Sequence, residues 1–172
     1  MLKTLKRKSF RANQASFAIV ASQYNARYVD AMLRAAMAEL KRAGAKNVRV
    51  VRVPGAYEIP VLAAHLARSA SELPHASRPA SAGHHASLSA IICLGVILRG
   101  ETSHAAHIGE AVSQALMQIQ LRYEVPVIHE VLLLDNEEQA RVRCLGRKHN
   151  RGAEAAQTAL AMAQVMEKLN AP

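Results

Sequence analysis

Large aromatic side chains are scarce in this sequence. It has no tryptophan, two phenylalanines and four tyrosines among 172 residues, although 51% of the chain is hydrophobic. Thirty-three of the residues are alanine, so many of the apolar side chains are small. This favours closely packed helices over a core of large aromatic side chains. The length is that of one ordinary domain, which can bury a core without disulfides or metals.

Cysteines and long apolar runs are also few. The two cysteines, at positions 93 and 144, cannot build a disulfide framework or a zinc cluster. Cys93 lies within the nine-residue apolar run Ala90–Leu98, which favours a buried, reduced thiol. That run is far shorter than the ~20 residues that span a bilayer, and no apolar stretch follows the basic N-terminus as in a secretory signal. We therefore expect a cytoplasmic protein with no membrane segment.

Acidic residues are missing from the first 29 positions, and the whole chain carries a net charge of +9. Five of the 22 Lys and Arg residues lie within the first eleven positions, which predicts a basic N-terminal arm over residues 1–15. Such an arm could touch nucleic acid or an anionic surface. We favour a solvated tail and expect no nucleic-acid partner; an assembly protein that carries RNA is the alternative.

Four apolar, β-branched runs alternate with segments in which apolar residues recur every three or four positions. Strand and helix in alternation predict the α/β class, with right-handed crossovers and helices on both faces of a parallel sheet. We expect a three-layer α/β/α sandwich around a four-stranded parallel sheet, as a single domain over residues 16–172. The predicted strands are 17–22, 48–53, 90–98 and 126–134, and the predicted helices are about 28–43, 59–69, 104–123, 136–145 and 153–169.

The stretch 69–87 differs from the rest in composition, being rich in Ser, Ala, Pro, His and Gly. Two prolines and a glycine predict a loop, and its length suggests an insertion. Three histidines lie in it, His75, His84 and His85. A metal site is conceivable there, but without Cys or acidic ligands at useful spacing we expect none.

The residues that follow each strand are the candidates for a site, because open α/β sheets bind ligands beyond the carboxyl ends of their strands. An aromatic ring there can stack a planar heterocycle, and a loop that enters a helix, together with arginines, can bind phosphate. A histidine in the first helical turn suits proton transfer near neutrality. The segments concerned are Gln23–Asn25, Pro54–Glu58, Arg99–His104 and Asp135–Asn136, with the arginines of the next sixteen residues.

Each of these residues also has a plainer interpretation. Tyr24 could be an ordinary loop ring, and Glu58 could only compensate a helix dipole. His104 could be a helix-start residue without chemistry, and Arg143 could lie on a solvated helix face. The Gly100–Ser103 turn is weaker than a Walker loop, since it has one glycine and no lysine. Only their shared edge of the sheet strengthens the functional interpretation.

Two motifs carry a resemblance to a known family. Gly55–Pro60 (GAYEIP) and Arg99–His104 (RGETSH) resemble lumazine synthases, and the likeness extends over about residues 17–169 outside the insertion. The resemblance implies a flavodoxin-like strand order. It also implies a transferase without metal or organic cofactor, which condenses 5-amino-6-(D-ribitylamino)uracil with 3,4-dihydroxy-2-butanone 4-phosphate, losing phosphate and water. Further support comes from Tyr24–Asn25, Pro126–Ile128, Glu138–Ala140 and Asn150–Ala156.

The resemblance also implies roles for individual residues. His104 would move protons in Schiff-base formation and phosphate elimination. Tyr24 would stack on the pyrimidine and Glu58 would accept a substrate hydroxyl. The residues that would bind the ribitylaminouracil are Tyr24, Ala56, Tyr57, Glu58, Val96, Ile97, Leu98 and His129, and those that would bind the butanone phosphate are Glu101, Thr102, Arg143 and Arg151.

Some positions depart from the family pattern. His129 stands where the family usually has a phenylalanine that packs on the substrate ring from a neighbouring subunit. Ala105 and Ala106 replace a ring and an aspartate, so Glu110 or His107 would have to orient the catalytic imidazole. These departures suggest an alternative function, a non-catalytic relative that binds lumazine or flavin. The retained His104 argues for the enzyme.

The family resemblance finally implies a homo-oligomer. Its members form pentamers, in some cases packed into sixty-subunit shells, with active sites shared between subunits. His129 and Arg143 would then come from a neighbouring copy. We expect small-molecule substrates, an association with riboflavin synthase, and no membrane partner; the sequence leaves the choice between pentamer and shell open.

Overall fold

The structure is a computed structural model that describes residues 12, 15–71, 88–146 and 149–170. Nearly all of the predicted basic arm lies outside the described residues. So does most of the predicted insertion, including His75, His84 and His85.

Within the described residues, four parallel strands form one sheet in the order β2-β1-β3-β4. The central strands β1 and β3 are buried along nearly their whole length, as expected of parallel strands covered on both faces. The predicted α/β class and flavodoxin-like order are confirmed. The strands are β1 (Ser16–Ser22), β2 (Asn47–Val53), β3 (Ala90–Leu98) and β4 (Val127–Leu134).

Five α-helices and one π-helical turn cover the sheet in the part of the chain that the structure describes. The predicted helix over 136–145 is α-helical in its first half only, and the other helices begin or end within two residues of prediction. None of the helices among the described residues is long and apolar enough to cross a membrane. They are α1 (Ala26–Arg42), α2 (Ile59–Ser71), α3 (His104–Tyr123), α4 (Glu137–Ala140), the π turn (Arg141–Leu145) and α5 (Arg151–Leu169).

Each face of the sheet has its own apolar core. Helices α1 and α5 pack on one face around Ile19 and Ile92, and α2 and α3 pack on the other around Val20 and Ile91. Neighbouring residues of a strand serve opposite cores, because side chains alternate across a strand. The predicted three-layer α/β/α sandwich is therefore confirmed.

The start of α5 is fixed by a cap and by a close helix contact. The Asn150 side-chain oxygen accepts from the N–H of Gly152 over 2.9 Å, as an N-cap does, and its amide nitrogen donates to the Cys144 carbonyl at the end of the π turn. Gly152 lies against α1, where a Cβ atom would be 2.0 Å from the Met32 carbonyl oxygen. Asn150 and Gly152 thus position the segment that carries Arg143 and Arg151.

Candidate active site

Two loops lie side by side where β1 and β2 end. The N–H of Gln23 donates to the Val53 carbonyl over 2.8 Å, and the N–H of Tyr24 donates to Pro54 over 3.0 Å. Each loop carries an exposed tyrosine, Tyr24 at 74% and Tyr57 at 63% exposure. The carboxyl edge therefore presents two planar rings that could stack a heterocycle.

A crevice opens beside these loops, between β1 and β3. The two strands pair only up to Ala21 with Leu94, whereas β3 stays paired with β4 as far as Leu98. Strand order also reverses between β1 and β3, which is where open α/β sheets bind ligands. We call this opening the switch-point crevice.

Backbone groups of β3 form one wall of the switch-point crevice. The N–H of Arg99 donates to the Leu134 carbonyl of β4 over 2.8 Å. Because backbone polar groups of successive strand residues point to opposite sides, those of Ile97 also point towards β4. Those of Val96 and Leu98 point the other way, into the crevice. Of the three predicted binding residues in β3, Val96 and Leu98 therefore present backbone groups to the opening, and Ile97 does not.

Asn25 joins the loop after β1 to this wall. Its backbone is left-handed, with φ 56° and ψ 40°, a conformation that asparagine tolerates better than most residues. Its Nδ2 donates to the Val96 carbonyl over 2.9 Å. The base of the switch-point crevice is thereby cross-linked, and α1 begins at the next residue.

Glu58 folds back onto its own loop. The N–H of Gly55 donates to its Oε2 over 2.8 Å, and a Cβ at position 55 would lie only 2.8 Å from that same oxygen. Glycine therefore makes room for the carboxylate. Its Oε1 has no hydrogen-bond partner among the described residues, so Glu58 keeps an acceptor for a ligand. Ala56, between them, is buried at 9% exposure.

The loop after β3 enters α3 with its polar side chains in solvent. Glu101, Thr102 and His104 are all exposed. The N-cap Ser103 makes no side-chain hydrogen bond to the helix, and Thr102 Oγ1 accepts weakly from the His104 N–H over 3.4 Å. The first turn of a 20-residue helix can therefore hold an anion through its N–H groups, beside the His104 ring.

Among the described residues, none makes a hydrogen bond to the His104 ring. Ala105 is buried at 8% exposure, and Glu110 accepts from Gln114 Nε2 over 3.1 Å. Within the described part of the chain, no hydrogen bond joins the His104 ring to Glu110 or His107. The two candidates for orienting the imidazole are therefore not hydrogen-bonded to it.

A second concavity, which we call the arginine groove, lies among α4, the π turn and α5. Its volume is about 340 Å³, and Arg143 enters it from the π turn as a partly buried side chain. The groove is lined by Glu138, Gln139, Val142, Arg143, His149, Arg151 and Glu154.

Two carboxylates hold Arg151 in the arginine groove. Its Nε lies 3.0 Å from Glu130 Oε2, and its Nη1 lies 2.8 Å from Glu154 Oε2. The side chain of Glu130 is 8% exposed and that of Arg151 is 26% exposed. Burial raises the pKa of Glu130 to about 7, although Arg151 and then Arg143 lower it in part.

The two partners of this ion pair respond differently to burial. Burial lowers the pKa of Arg151, but Glu130 and Glu154 together raise it by more. Glu130 lies deeper than Arg151, which explains why desolvation dominates for the carboxyl only. Since Arg151 stays charged throughout the neutral range, the charge state of the pair is set by Glu130.

Asp135 connects the loop after β3 to the arginine groove. Its Oδ1 lies 3.0 Å from Arg99 Nε, and its Oδ2 accepts from Gln139 Nε2 over 3.2 Å. Gln139 lines the groove. The groove and the entry to α3 are therefore tied through one carboxylate, although both partners of the ion pair are largely exposed.

His129 lies apart from both concavities. It is the third residue of β4 and faces α3, where its Nε2 is 2.9 Å from Ser113 Oγ. Burial lowers the pKa of His129, and a backbone hydrogen bond opposes this in part. At ~3.3 Å per residue, His129 lies about 16 Å from Leu134 at the carboxyl end of β4.

Comparison with known proteins identifies the family. The family model for 6,7-dimethyl-8-ribityllumazine synthase matches residues 14–167. The chain belongs to this family. It is 38% identical over 157 residues to the synthase of Stenotrophomonas maltophilia strain R551-3, covering 90% of this chain and 91% of the relative. It is 40% identical over 157 residues to that of Xylella fastidiosa strain M12, covering 90% and 92%.

The predicted site residues of this lumazine synthase family member occupy three places. The switch-point crevice and its rim bring most of them together, the arginine groove holds two, and the α3 side of β4 holds one. The crevice group is Tyr24, Ala56, Tyr57, Glu58, Val96, Ile97, Leu98, Glu101, Thr102 and His104; the groove group is Arg143 and Arg151; the remaining residue is His129.

Sequence reasoning missed three residues whose side chains form hydrogen bonds or ion pairs at or beside the candidate site. Asp135 was seen only as a strand-end residue, and Ser113 and Glu130 were not singled out. Glu130 did leave a signal, because a lone carboxylate in an apolar strand must find a cationic partner if the strand is buried. Ser113 left none, since a serine on an exposed helix face is ordinary.

Proposed function

We propose that this protein condenses 5-amino-6-(D-ribitylamino)uracil with 3,4-dihydroxy-2-butanone 4-phosphate to give 6,7-dimethyl-8-ribityllumazine, with loss of phosphate and water. Membership of the lumazine synthase family supports this activity. The observation that supports the proposal within the fold is that Tyr24, Tyr57 and His104 are exposed and follow the carboxyl ends of the neighbouring strands β1, β2 and β3.

The pyrimidine would bind in the switch-point crevice. Tyr24 stacks on its ring, and the backbone groups of Val96 and Leu98 meet its polar edge. Glu58 accepts a ribityl hydroxyl through the carboxylate oxygen that Gly55 does not engage. Ala56, Tyr57 and the Ile97 side chain shape the pocket.

The butanone phosphate would place its anionic group at the start of α3. The N–H groups of Glu101 and Thr102 bind it there, and Arg143 and Arg151 supply cationic contacts. His104, in the first turn, removes and returns protons while the Schiff base forms and while phosphate leaves.

We also propose that the active site is completed by a second copy of the chain. His129 lies about 16 Å from the carboxyl end of its own strand, so it can meet a crevice only in a neighbouring subunit. Arg143 would be supplied in the same way. The expected assembly is a pentamer, alone or within a sixty-subunit shell that associates with riboflavin synthase, in the cytoplasm.

The experiment that tests this function is a direct assay. The purified protein is mixed with both substrates, and the visible absorbance and green fluorescence of the lumazine are followed against a control without enzyme. Formation well above the uncatalysed rate is the expected result. No rate above background, in a protein that still binds lumazine, would replace the proposal with a non-catalytic binding protein.

A further inference from the structure

Glu130 is an unusual residue for the middle of a parallel strand. It is one of two charged residues that are buried among those the structure describes, at 6% exposure, and it belongs to β4 between the apolar pairs of the sheet. Burying a carboxylate is costly unless a cation and hydrogen bonds compensate it. Its partner is Arg151, which also lines the arginine groove.

The ion pair with Glu130 occupies part of the hydrogen-bonding capacity of the arginine groove. Arg151 donates its Nε–H to Glu130 and an Nη1–H to Glu154. Its remaining guanidinium N–H groups are left for a ligand. Arg143 lies close enough to Glu130 to lower the pKa of the carboxyl. When Glu130 is ionised, the charges of Arg151 and Arg143 are balanced by those of Glu130 and Glu154.

We propose that Glu130 is a resident counter-ion that competes with a phosphate group for Arg151, and thereby weakens phosphate binding in the arginine groove. The inference rests on the proposed function, in which this groove contacts the phosphate of the substrate. A phosphate group carries about −1.5 to −2 charges near neutrality, so it must share Arg151 with a carboxylate that is already in place.

The effect bears on product release as much as on substrate binding. Two arginines without counter-ions would hold inorganic phosphate as firmly as the phosphate of the substrate. Inorganic phosphate that binds tightly would leave slowly and would compete with the next substrate molecule. A built-in carboxylate reduces the affinity for both, and so lets the released phosphate leave.

The decisive variant is Glu130→Gln, which keeps the shape of the side chain and removes its charge. Inorganic phosphate is titrated calorimetrically at pH 8, where Glu130 is ionised. We expect phosphate to bind about three- to tenfold more tightly to Glu130→Gln than to the wild type. If Glu130 instead served only to position Arg151, the variant would bind phosphate more weakly, and that result would overturn the inference.

Two further variants separate this effect from a general change of charge. Glu138→Gln removes a carboxylate from the same groove, but Glu138 is 63% exposed and pairs with Arg141; phosphate binding should stay within about twofold of wild type. In Glu130→Gln/Arg151→Met the tightening should disappear. An equal gain in Glu138→Gln, or a gain that survives the loss of Arg151, would refute the competition.

The lumazine assay keeps this inference separate from the proposed function. If the wild type makes no lumazine but the phosphate affinities are as expected, the proposed function is wrong and the counter-ion inference stands. If the wild type is active but Glu130→Gln binds phosphate as the wild type does, the proposed function stands and the counter-ion inference is wrong. A wild-type protein that does not bind phosphate at all would also overturn the inference.

Discussion

The side-chain amide of Asn25 donates a 2.9 Å hydrogen bond to the backbone carbonyl of Val96, across 71 positions of the sequence. This bond spans the switch-point crevice at its base, where β3 continues beyond its last residue paired with β1. Asn25 does so from a left-handed backbone, so one residue supplies both the turn into α1 and the cross-link.

Substitutions at Asn25 should separate these two roles. Asn25→Gly keeps the left-handed backbone and removes only the hydrogen bond, which should cost about 1–2 kcal/mol of unfolding free energy. Asn25→Ala should cost about 1 kcal/mol more, because a Cβ penalises this conformation. Urea unfolding of the three proteins measures both differences. Equal stability of the two variants would mean that the left-handed backbone relaxes.

Replacing His104 should affect turnover and leave the fold alone. His104→Ala should lower kcat by about 10²–10⁴-fold if the imidazole moves protons in the reaction, while the thermal unfolding midpoint stays unchanged because the side chain is exposed. His65→Ala, an exposed histidine well along α2, is the matched control and should keep full activity. An unchanged rate in His104→Ala would remove this residue from the mechanism.

Arg143 should act on one substrate only. Arg143→Ala removes charge-assisted hydrogen bonds worth about 1.5–3 kcal/mol, and should raise KM for the butanone phosphate by about 10–100-fold. KM for the ribitylaminouracil should change little. Steady-state kinetics with each substrate varied in turn provides the test; equal increases for both would indicate a damaged subunit interface instead.

The buried carboxyl of Glu130 should make stability fall as the pH rises. Its pKa is raised from 4.5 to about 7 in the folded chain, so between these values the folded state binds more protons than the unfolded state. Unfolding free energy is then lost from pH 4.5 to 7, by at most about 3 kcal/mol. Glu130→Gln should lack this loss.

The measurement for Glu130 is urea unfolding at several pH values between 4.5 and 8. The difference between wild type and Glu130→Gln isolates this group from others, such as His129, whose lowered pKa makes stability rise with pH. Glu138→Gln is a control of the same chemistry on the surface. Parallel stability curves for wild type and Glu130→Gln would show that Glu130 keeps an ordinary pKa.

Gly152 should not tolerate a side chain. A Cβ at this position would lie 2.0 Å from the Met32 carbonyl oxygen, so Gly152→Ala must push α5 away from α1. We expect a loss of about 1–3 kcal/mol in unfolding free energy, in spite of the better helix propensity of alanine. Gly100→Ala, where no atom lies within 4 Å, should change stability by less than about 0.5 kcal/mol.

Periodic patterns were enough to predict the helices and strands. The apolar spacing of α1 indicates a helix with one buried face. The uninterrupted apolar run of β3, in a chain that alternates strands and helices, indicates a buried strand. The π turn could not be predicted, because it depends on contacts from distant residues. Cys144 packs into the core shared with α1, and the Asn150 side chain donates to the Cys144 carbonyl within the turn.

The part of the candidate site that follows the strand ends could be predicted from the sequence. The rule for open sheets predicts Tyr24, Glu58 and His104 at one edge, and in the structure each of them follows the carboxyl end of a strand of the same sheet. It could not predict that Glu130 binds Arg151, since that pair joins a strand interior to a helix start 21 positions later. Nor could it show that the His104 ring lies free of Glu110 and His107.

The carboxyl end of β3 extends beyond its pairing with β1, and this affects how the protein tolerates mutation. At Val96 and Leu98 the groups that face the opening are amide and carbonyl atoms, which every amino acid except proline carries in full. Substitutions at these positions can therefore alter the shape of the wall while its pattern of donors and acceptors persists. Hydrogen bonds that the backbone makes to a ligand can be kept through many changes of side chain.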